Sequence, residues 1–322
     1  MEKSLVPGQG GLPAGRREGR FEPEQAVRFA ERSVSEETRR AYTRVVREFF
    51  AAIGNPAPMA VTVAEVQGWR DALLRRRRQK AATVAFKLNV LRAFFGYLVA
   101  MGMLEKNPAD VRFVIPPRLP ESMAGRALTT EEVRRMLCGP DRQRPEGARD
   151  YAILLVMLRL GMRVSEVCSL KVSDLHWSHG RWIVRFRVKG GRERTLPVPD
   201  EVRTAIRDYL KLDEARRRNL HSGGDEAYLF QPLVNYRTLE FAKPLSIRMV
   251  QNIVHRWGDY SGAGKVSPHD LRRTAITRAL DQGLSYRQVQ MMSGHADPKT
   301  VMRYDHNREN LDQNAVNLLN YD

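Results

Sequence analysis

Apolar residues in the first third of this chain recur at spacings of three and four, which predicts amphipathic helices. Ser33 or Ser35 could cap the first of them. Its apolar face carries Tyr42, Val45, Val46, Phe49, Phe50 and Ile53, and its opposite face carries Arg39, Arg40, Arg44 and Arg47. The pattern predicts a helix with one face in a core and one basic face in water.

Two further helical patterns follow it. Thr62 to Arg75 predicts a helix that buries Val66, Trp69 and Leu73. The next pattern ends near Gly102, and its apolar stripe consists of Val84, Leu88, Leu91, Phe95 and Leu98. Together these patterns predict a compact bundle of about four helices.

The chain beyond this bundle begins with two more predicted helices. Thr129 or Thr130 could cap a helix that runs through Cys138. Residues 149 to 160 are mostly apolar, which predicts a buried helix. The remainder of the chain, apart from one segment, is also predicted to be helical.

That segment changes to strict alternation between residues 182 and 188. Trp182, Val184, Phe186 and Val188 are predicted to point one way, and Ile183, Arg185 and Arg187 the other. Gly190 and Gly191 predict a turn into a second strand that ends at Val198. The fold class is therefore mainly α with a small antiparallel β-sheet.

Glycine and proline content divides the chain into four parts. Residues 1–22 are rich in Gly, Pro and Arg and are predicted to be a flexible tail. Residues 23–112 form the predicted helical domain. Residues 113–126 are predicted to be a stiff, extended linker, because prolines crowd residues 115–120. Residues 127–322 form the second domain, which ends in a tail helix.

The charge of the chain favours a polyanionic partner. Lysine and arginine number 54 against 37 acidic residues, a formal net charge of +17, and nucleic acid is the usual partner of such a charge. Apolar runs such as residues 151–158 are too short to cross a membrane, and residues 6–15 do not form a signal peptide. Cys138 and Cys168 are expected to be small core residues in a reducing cytoplasm.

Candidate phosphate ligands lie at two predicted helix starts. Gly161 would end one helix and place Arg163 at the mouth of the next, where a guanidinium can bond two phosphate oxygens. A surface ion pair between Arg163 and Glu166 is the simpler alternative. Ser267 and Pro268 start a later helix, with His269 and Arg272 on one face of its positive end. A capping histidine beside a solvated arginine is the alternative there.

Three further candidates complete the set. Lys189 stands between the two segments just described, and His295 and Tyr304 follow them in the chain. Lys189 is predicted at the hairpin tip, where it could protonate a leaving oxygen, although a solvated turn lysine is equally simple and Arg192 or Arg194 could compete. His295 follows Gly294 in a predicted turn, and Tyr304 follows nine residues later. Tyr304 is the candidate nucleophile. Taken alone, it is more simply interpreted as an amphipathic tyrosine with a buried ring.

Taken together, the segments around Arg163, Lys189, His269–Arg272, His295 and Tyr304 resemble those of the tyrosine recombinase (phage integrase) family, over roughly residues 33 to 310. The resemblance implies an N-terminal helical (SAM-like) core-binding domain and an α+β catalytic domain. It also implies that Glu166 steadies Arg163 and that the hairpin lysine is the general acid. The chain looks like the simple two-domain type of chromosome-dimer resolvases or mobile-element integrases.

The implied function is site-specific cutting and rejoining of DNA, through a 3′-phosphotyrosyl intermediate and a Holliday junction. No metal and no cofactor is expected, since the sequence has neither a phosphate-binding glycine loop nor an acidic Mg²⁺ cluster. A type IB topoisomerase and a catalytically silent DNA-binding protein of the same fold are the alternatives. The oligomerising tail and the core-binding bundle of this chain argue against the first, and the second would be expected to lose at least one of the six residues.

Double-stranded DNA is the predicted partner, held as in a clamp between two basic domains. The predicted phosphate contacts of the first domain are Arg39, Arg40, Arg75, Arg76, Arg77, Arg78, Lys80 and Lys87. The resemblance also implies a tetramer on two DNA sites, and it leaves open a second recombinase or an accessory protein. Leu311, Ala315, Leu318 and Leu319 form the stripe of a tail that would dock on a neighbouring protomer or on its own domain.

Overall fold

The chain divides into two compact units, residues 1–120 and 121–322. The structure, a computed structural model, describes residues 19–75, 78–118, 125–188, 191–233, 242–305 and 317. The predicted tail helix with Leu311, Ala315, Leu318 and Leu319 lies outside these residues. Each unit has its own hydrophobic core, and each is described by itself.

The first unit is a helical bundle around an aromatic core. Its helices are α1 (Pro23–Glu31), α2 (Glu36–Ala52), α3 (Val63–Arg75) and α4 (Ala81–Ala100). Ser35 stands at the N-terminal end of α2, one of the two predicted positions. Phe49 packs edge-on against Trp69, and Phe50 against Phe94, with ring centres 5.2 and 5.8 Å apart. The predicted apolar faces of α2, α3 and α4 line this core.

The predicted boundary of the flexible tail is wrong, because the ordered bundle begins before residue 22. Phe21 is buried and stacks on Phe50, with ring centres 3.9 Å apart. Its backbone N–H donates to the carbonyl of Asn55 at 3.1 Å. The helix α1 that follows was not predicted, and its Phe29 also enters the core. The apolar pattern in this short helix rests on three residues, too few to stand out from the polar residues around them.

The predicted linker also begins too early and ends too late. Val114 is fully buried in the first core, and its carbonyl accepts from Arg92 at 2.7 Å. At the other end, Arg126 donates to Glu132 at 2.9 Å and so belongs to the second unit. Residues 119–124 lie outside the described residues.

By length and composition, helix α4 is long and apolar enough to cross a membrane, although the apolar runs of the chain were predicted to be too short. The described residues hold no second helix of this kind. The nine buried side chains of α4, including Leu88, Leu91 and Phe95, instead face the other helices of the bundle. Such burial is typical of the central helix of a folded core.

The second unit combines eight described helices with one small sheet. The helices are α5 (Thr130–Cys138), α6 (Pro145–Leu160), α7 (Val164–Ser169), α8 (Asp200–Asn219), α9 (Ile247–Tyr260), α10 (Pro268–Asp281), α11 (Tyr286–Ser293) and α12 (Pro298–Met302). Thr129 caps α5 by accepting from the Glu132 amide. Helix α6 has eleven buried residues and is the centre of the second core. Cys168 is buried as predicted, but Cys138 is exposed.

The sheet has three antiparallel strands, whereas the sequence predicted two. They are β1 (Leu175–Ser178), β2 (Arg181–Arg187) and β3 (Glu193–Pro197), in that order. The four residues of β1 are too few to show an alternation. In β2, Val184 and Phe186 face the core as predicted, and Ile183 is buried as well. The fold is mainly α with a small antiparallel sheet, as predicted.

Replacing Phe21 by alanine should lower the free energy of unfolding of the first unit by about 3 kcal/mol, because it removes a stacked ring and leaves a cavity. Native-state hydrogen exchange of amides in α2 and α4 would measure the loss. Val34→Ala is the control, since Val34 is 93% exposed and should change stability by less than about 0.5 kcal/mol. Equal protection in Phe21→Ala and the wild type would show that residues before α1 do not belong to the core.

Candidate active site

Arg163 is positioned by the junction between α6 and α7. Gly161 ends α6 with φ 59°, a left-handed conformation that favours glycine, and Arg163 is the N-cap residue of α7. Glu166 accepts from the Arg163 amide at 2.7 Å and from its guanidinium at 2.9 Å. The carboxylate is 5% exposed and the Arg163 side chain 42% exposed. The predicted ion pair and the predicted phosphate ligand are therefore compatible, because the arginine is steadied and still accessible.

The start of α10 brings two more of the predicted residues to the same place. Ser267 caps this helix and forms a capping box with Asp270. Arg272, one turn further on, is 2% exposed and donates to the carbonyls of Gly161 and Ser293, the latter at 2.6 Å. Arg272 thus joins the end of α6 to the end of α11. Burial, with the charge of Arg163 nearby, lowers the pKa of Arg272 to about 10, so it stays charged at neutral pH.

His295 lies in the turn between α11 and α12, against Arg272. Its Nε2 is 3.2 Å from the Arg272 guanidinium, and its Nδ1 is 2.9 Å from the Ser293 hydroxyl. Because a guanidinium can only donate, Nε2 must accept, which places the ring proton on Nδ1. Burial and the charges of Arg272 and Arg163 lower the pKa of His295 to about 4. The imidazole is therefore neutral at physiological pH.

Tyr304 lies in the turn that follows α12, which ends at Met302. It is 1% exposed, and its ring stacks on that of His295 with centres 5.8 Å apart. Among the described residues, no side chain hydrogen-bonds its hydroxyl. The prediction that His295 and Tyr304 converge is consistent with this geometry.

His269 lies at the exposed rim of the site. Partial burial of its ring, followed by the charges of Arg273 and Arg272, lowers its pKa. A neutral imidazole at neutral pH can accept a proton. The described residues contain no group of three or more metal-ligating side chains of His, Cys, Asp or Glu.

Two arginines of the site were not among the predicted catalytic residues, although Arg194 was named as a competitor of Lys189. Arg194, on β3, donates to the carbonyl of Met292 at 2.6 Å, and its guanidinium is 3.8 Å from Glu166. It also fills the space beside Gly294, where a Cβ atom would stand 2.6 Å from it. Arg273, which follows Arg272, is considered below. The sequence offers no signal for contacts that join residues about a hundred positions apart.

The other predicted residues have mixed outcomes. Lys189 lies outside the described residues and stays a prediction; of the residues that flank it, the Val188 amide donates to the Arg192 carbonyl at 2.8 Å. Lys87 is wrong as a phosphate contact, because it is 8% exposed and bonds Glu48 at 2.6 Å. A buried and neutralised ammonium cannot reach a duplex.

The other predicted phosphate contacts of the first unit are accessible where they are described. Arg39, Arg40, Arg75, Arg78 and Lys80 are exposed, and Arg76 and Arg77 lie outside the described residues. Arg44 and Arg47 belong to the same exposed face of α2, and a groove of about 660 Å³ is lined by this face.

Comparison with known proteins gives the same two-part division. Residues 126–310 match the model of the phage integrase family, and residues 28–102 match that of the phage integrase N-terminal SAM-like domain. Tyrosine recombinase XerC of Thermodesulfovibrio yellowstonii is 32% identical over 273 residues, which cover 84% of this chain and 86% of the relative. Tyrosine recombinase XerA of Pyrococcus furiosus is 34% identical over 237 residues, which cover 73% of this chain and 75% of the relative.

The fold is also that of a solved structure described as XerH site-specific recombinase bound to palindromic difH substrate, a post-cleavage complex. That structure aligns with a TM-score of 0.67 at 17% identity and covers 92% of this chain and 84% of the other. At this identity the likeness concerns the fold alone.

The depressed pKa of His295 makes the stability of the second unit pH-dependent. The unfolded chain takes up this proton near pH 6.5, whereas the folded one does so only near pH 4, so acidification between these values favours unfolding. The variant His295→Gln keeps an acceptor for Arg272. Between pH 7 and 4, we expect its free energy of unfolding to fall by about 2 kcal/mol less than that of the wild type. Urea unfolding at both pH values measures the difference. An NMR titration of His295 with a midpoint above 6 would contradict the argument.

Proposed function

The chain belongs to the phage integrase family and is a site-specific tyrosine recombinase, and we propose that Tyr304 is the residue with which it attacks DNA. The observation that supports this most strongly is the packing of the Tyr304 side chain. Its ring stacks on His295, which in turn contacts the buried Arg272. A phosphate bound by Arg163 and Arg272 would therefore lie beside a tyrosine hydroxyl that no described side chain holds by a hydrogen bond.

The reaction exchanges one phosphate ester for another. Tyr304 Oη forms a bond to phosphorus, and the bond from phosphorus to the 5′ oxygen breaks. The phenolic proton goes to His269, whose lowered pKa keeps it neutral and ready to accept. The departing 5′ oxygen takes a proton from Lys189. The product is a 3′-phosphotyrosyl link, and attack by a 5′ hydroxyl of another strand reverses each step, so neither a metal nor a nucleotide is consumed.

Arg163, Arg272 and His295 would stabilise the charge that develops on the non-bridging oxygens, each contributing up to a few kcal/mol. For His295 this requires a change of tautomer, since its Nε2 accepts from Arg272 in the structure. The Ser293 hydroxyl makes the change simple, because it can accept from Nδ1–H or donate to unprotonated Nδ1. With the proton on Nε2, His295 can donate to the phosphate.

The exposed arginine face of α2 is the proposed phosphate-binding surface of the first unit. Arg44 and Arg47 have no ion pair among the described residues, whereas Arg40 pairs with Glu36. Buried Lys87 neutralises Glu48, the acidic residue beside this face. We therefore propose that Lys87 does not contact DNA, and that it neutralises the Glu48 carboxylate, whose charge would otherwise repel a phosphate.

We further propose assembly as a tetramer on two DNA sites in the cytoplasm, with a Holliday junction between two rounds of strand exchange. Integration, excision and dimer resolution all use this chemistry. A second recombinase or an accessory protein could be a further partner. The structure describes five of the six predicted catalytic residues. Four of them lie near one another, and His269 lies at the rim of the site. This arrangement favours an active enzyme over a silent DNA-binding protein.

Purified protein should form a covalent adduct with a supercoiled plasmid that carries the host's candidate sites, in EDTA and without ATP. Quenching with SDS before electrophoresis detects the adduct. Tyr304→Phe should abolish it, since the only change is loss of the attacking oxygen. An adduct that persists in Tyr304→Phe would assign the attack to another tyrosine. Recombined products, rather than relaxed circles alone, would exclude a topoisomerase.

Non-specific DNA binding should report on the α2 surface through its salt dependence. Removing Arg44 and Arg47 together, as glutamines, should reduce the slope of log K against log salt by about 2, at about 0.9 for each lost phosphate contact. Fluorescence anisotropy with a random-sequence duplex measures the slope. Arg112→Gln, at an exposed arginine paired with Asp110, is the control. An unchanged slope in the double variant would place DNA on another surface.

A further inference from the structure

Arg273 is a fully buried cation that the mechanism above does not use. It follows Arg272 on α10 and is 1% exposed, and it is the largest side chain among the most deeply buried ones. Removing a guanidinium from water is costly, so its place in the fold requires an interaction that offsets the cost.

Its guanidinium lies over the ring of Tyr304. The carbon at its centre is 5.3 Å from the ring centre, within the range of a cation–π contact. Tyr304 is therefore held between His295 and Arg273, a neutral ring and a cation. Arg272, one residue earlier, makes its hydrogen bonds to Gly161, Ser293 and His295 instead. Adjacent residues on one helix thus serve the phosphate and the nucleophile separately.

Other charged or titratable groups also lie around Tyr304. Arg272 contributes from α10, His295 from the turn before α12, and Asp305 is the next residue in the chain. Asp305 accepts from the Tyr286 hydroxyl of α11 at 2.5 Å, which fixes its carboxylate on that helix. Asp270 lies close to Arg273, because both side chains approach Gly125. A Cβ atom added to Gly125 would stand 2.8 Å from Asp270 Oδ1 and 3.3 Å from Arg273 Nε.

We propose that Arg273 is a positioning residue, on the premise that Tyr304 is the nucleophile: its buried guanidinium holds the face of the Tyr304 ring and stabilises the phenolate that attacks phosphorus. A cation–π contact strengthens when the ring carries a negative charge. In a site closed to water this attraction is weakly screened, so it persists as the phenolic proton leaves.

The same charge acts on the acceptor of that proton. Burial is the main cause of the lowered pKa of His269, and Arg273 is the largest charged contributor, ahead of Arg272, with Asp270 opposing and Arg163 adding to the effect. Arg273 thus helps to keep His269 unprotonated before it accepts the proton.

The test is single-turnover adduct formation by the full chain at pH 6 to 9, on a plasmid that the wild type cleaves. Arg273→Met should slow the step roughly 3- to 30-fold, the range of one cation–π contact. The acid limb of its pH profile should move to higher pH, because His269 loses a neighbouring cation that lowers its pKa and so stays protonated to a higher pH. Arg273→Lys, which keeps the charge, should recover part of the rate and return the limb. Arg278→Met, the same change five residues along α10, is the control.

A substrate with sulfur as the 5′-bridging atom separates this role from that of the general acid. A thiolate leaves without being protonated, so the sulfur substrate should restore cleavage by Lys189→Ala but leave the defect of Arg273→Met. Thermal unfolding and DNA binding of each variant exclude a folding defect. A wild-type rate and pH profile in Arg273→Met would overturn the inference, as would a uniform loss at every pH that Arg273→Lys does not recover. Failure of the wild type to form any adduct would instead overturn the proposed function.

Discussion

The catalytic unit depends on the burial of one guanidinium, that of Arg272. Its bonds to the carbonyls of Gly161 and Ser293 connect two helix ends that are 132 positions apart in the chain, and satisfy acceptors that those ends would otherwise leave unpaired. Arg163 begins two residues after the first carbonyl, and His295 two residues after the second. The distance between Arg163 and His295 is therefore set by a single side chain, which explains why an arginine and not a more flexible lysine suits this position.

The surroundings of Arg272 are strongly positive. Arg163, Arg194 and Arg273 lie in the same site, whereas Glu166, 5% exposed, is the buried carboxylate that both Arg163 and Arg194 approach. Repulsion among these cations costs stability in the folded protein. A phosphate would relieve that repulsion, and its charge increases further as the transition state forms. Cations fixed in advance stabilise this charge without reorganising, so the instability of the site and its catalytic power have the same origin.

The sequence predicted what depends on local chemistry. Ser267 and Pro268 start α10 where expected, Gly161 ends α6, and the alternation around Phe186 marks a strand. Helix α1 and strand β1 were missed, because each is too short for its apolar period to exceed chance. Lys87 was assigned to DNA from its charge alone, since nothing local reveals that Glu48, 39 residues away, neutralises it. Burial of a charged side chain is a property of the tertiary fold and has no local signature.

The site residues divide in the same way. Arg163, His269, Arg272, His295 and Tyr304 could be selected because each lies at a helix end or turn, and such positions have recognisable sequences. Arg273 was not selected, and Arg194 was named only as a competitor of Lys189, because an arginine within a strand or a helix is usually a solvated residue. Their burial changes what their charge can do. At the surface each charge would be screened by water and salt, whereas Arg194 lies beside the buried Glu166 and Arg273 lies over the buried ring of Tyr304, where screening is weaker. The residues that set the electrostatics of this site are thus the ones that the sequence conceals.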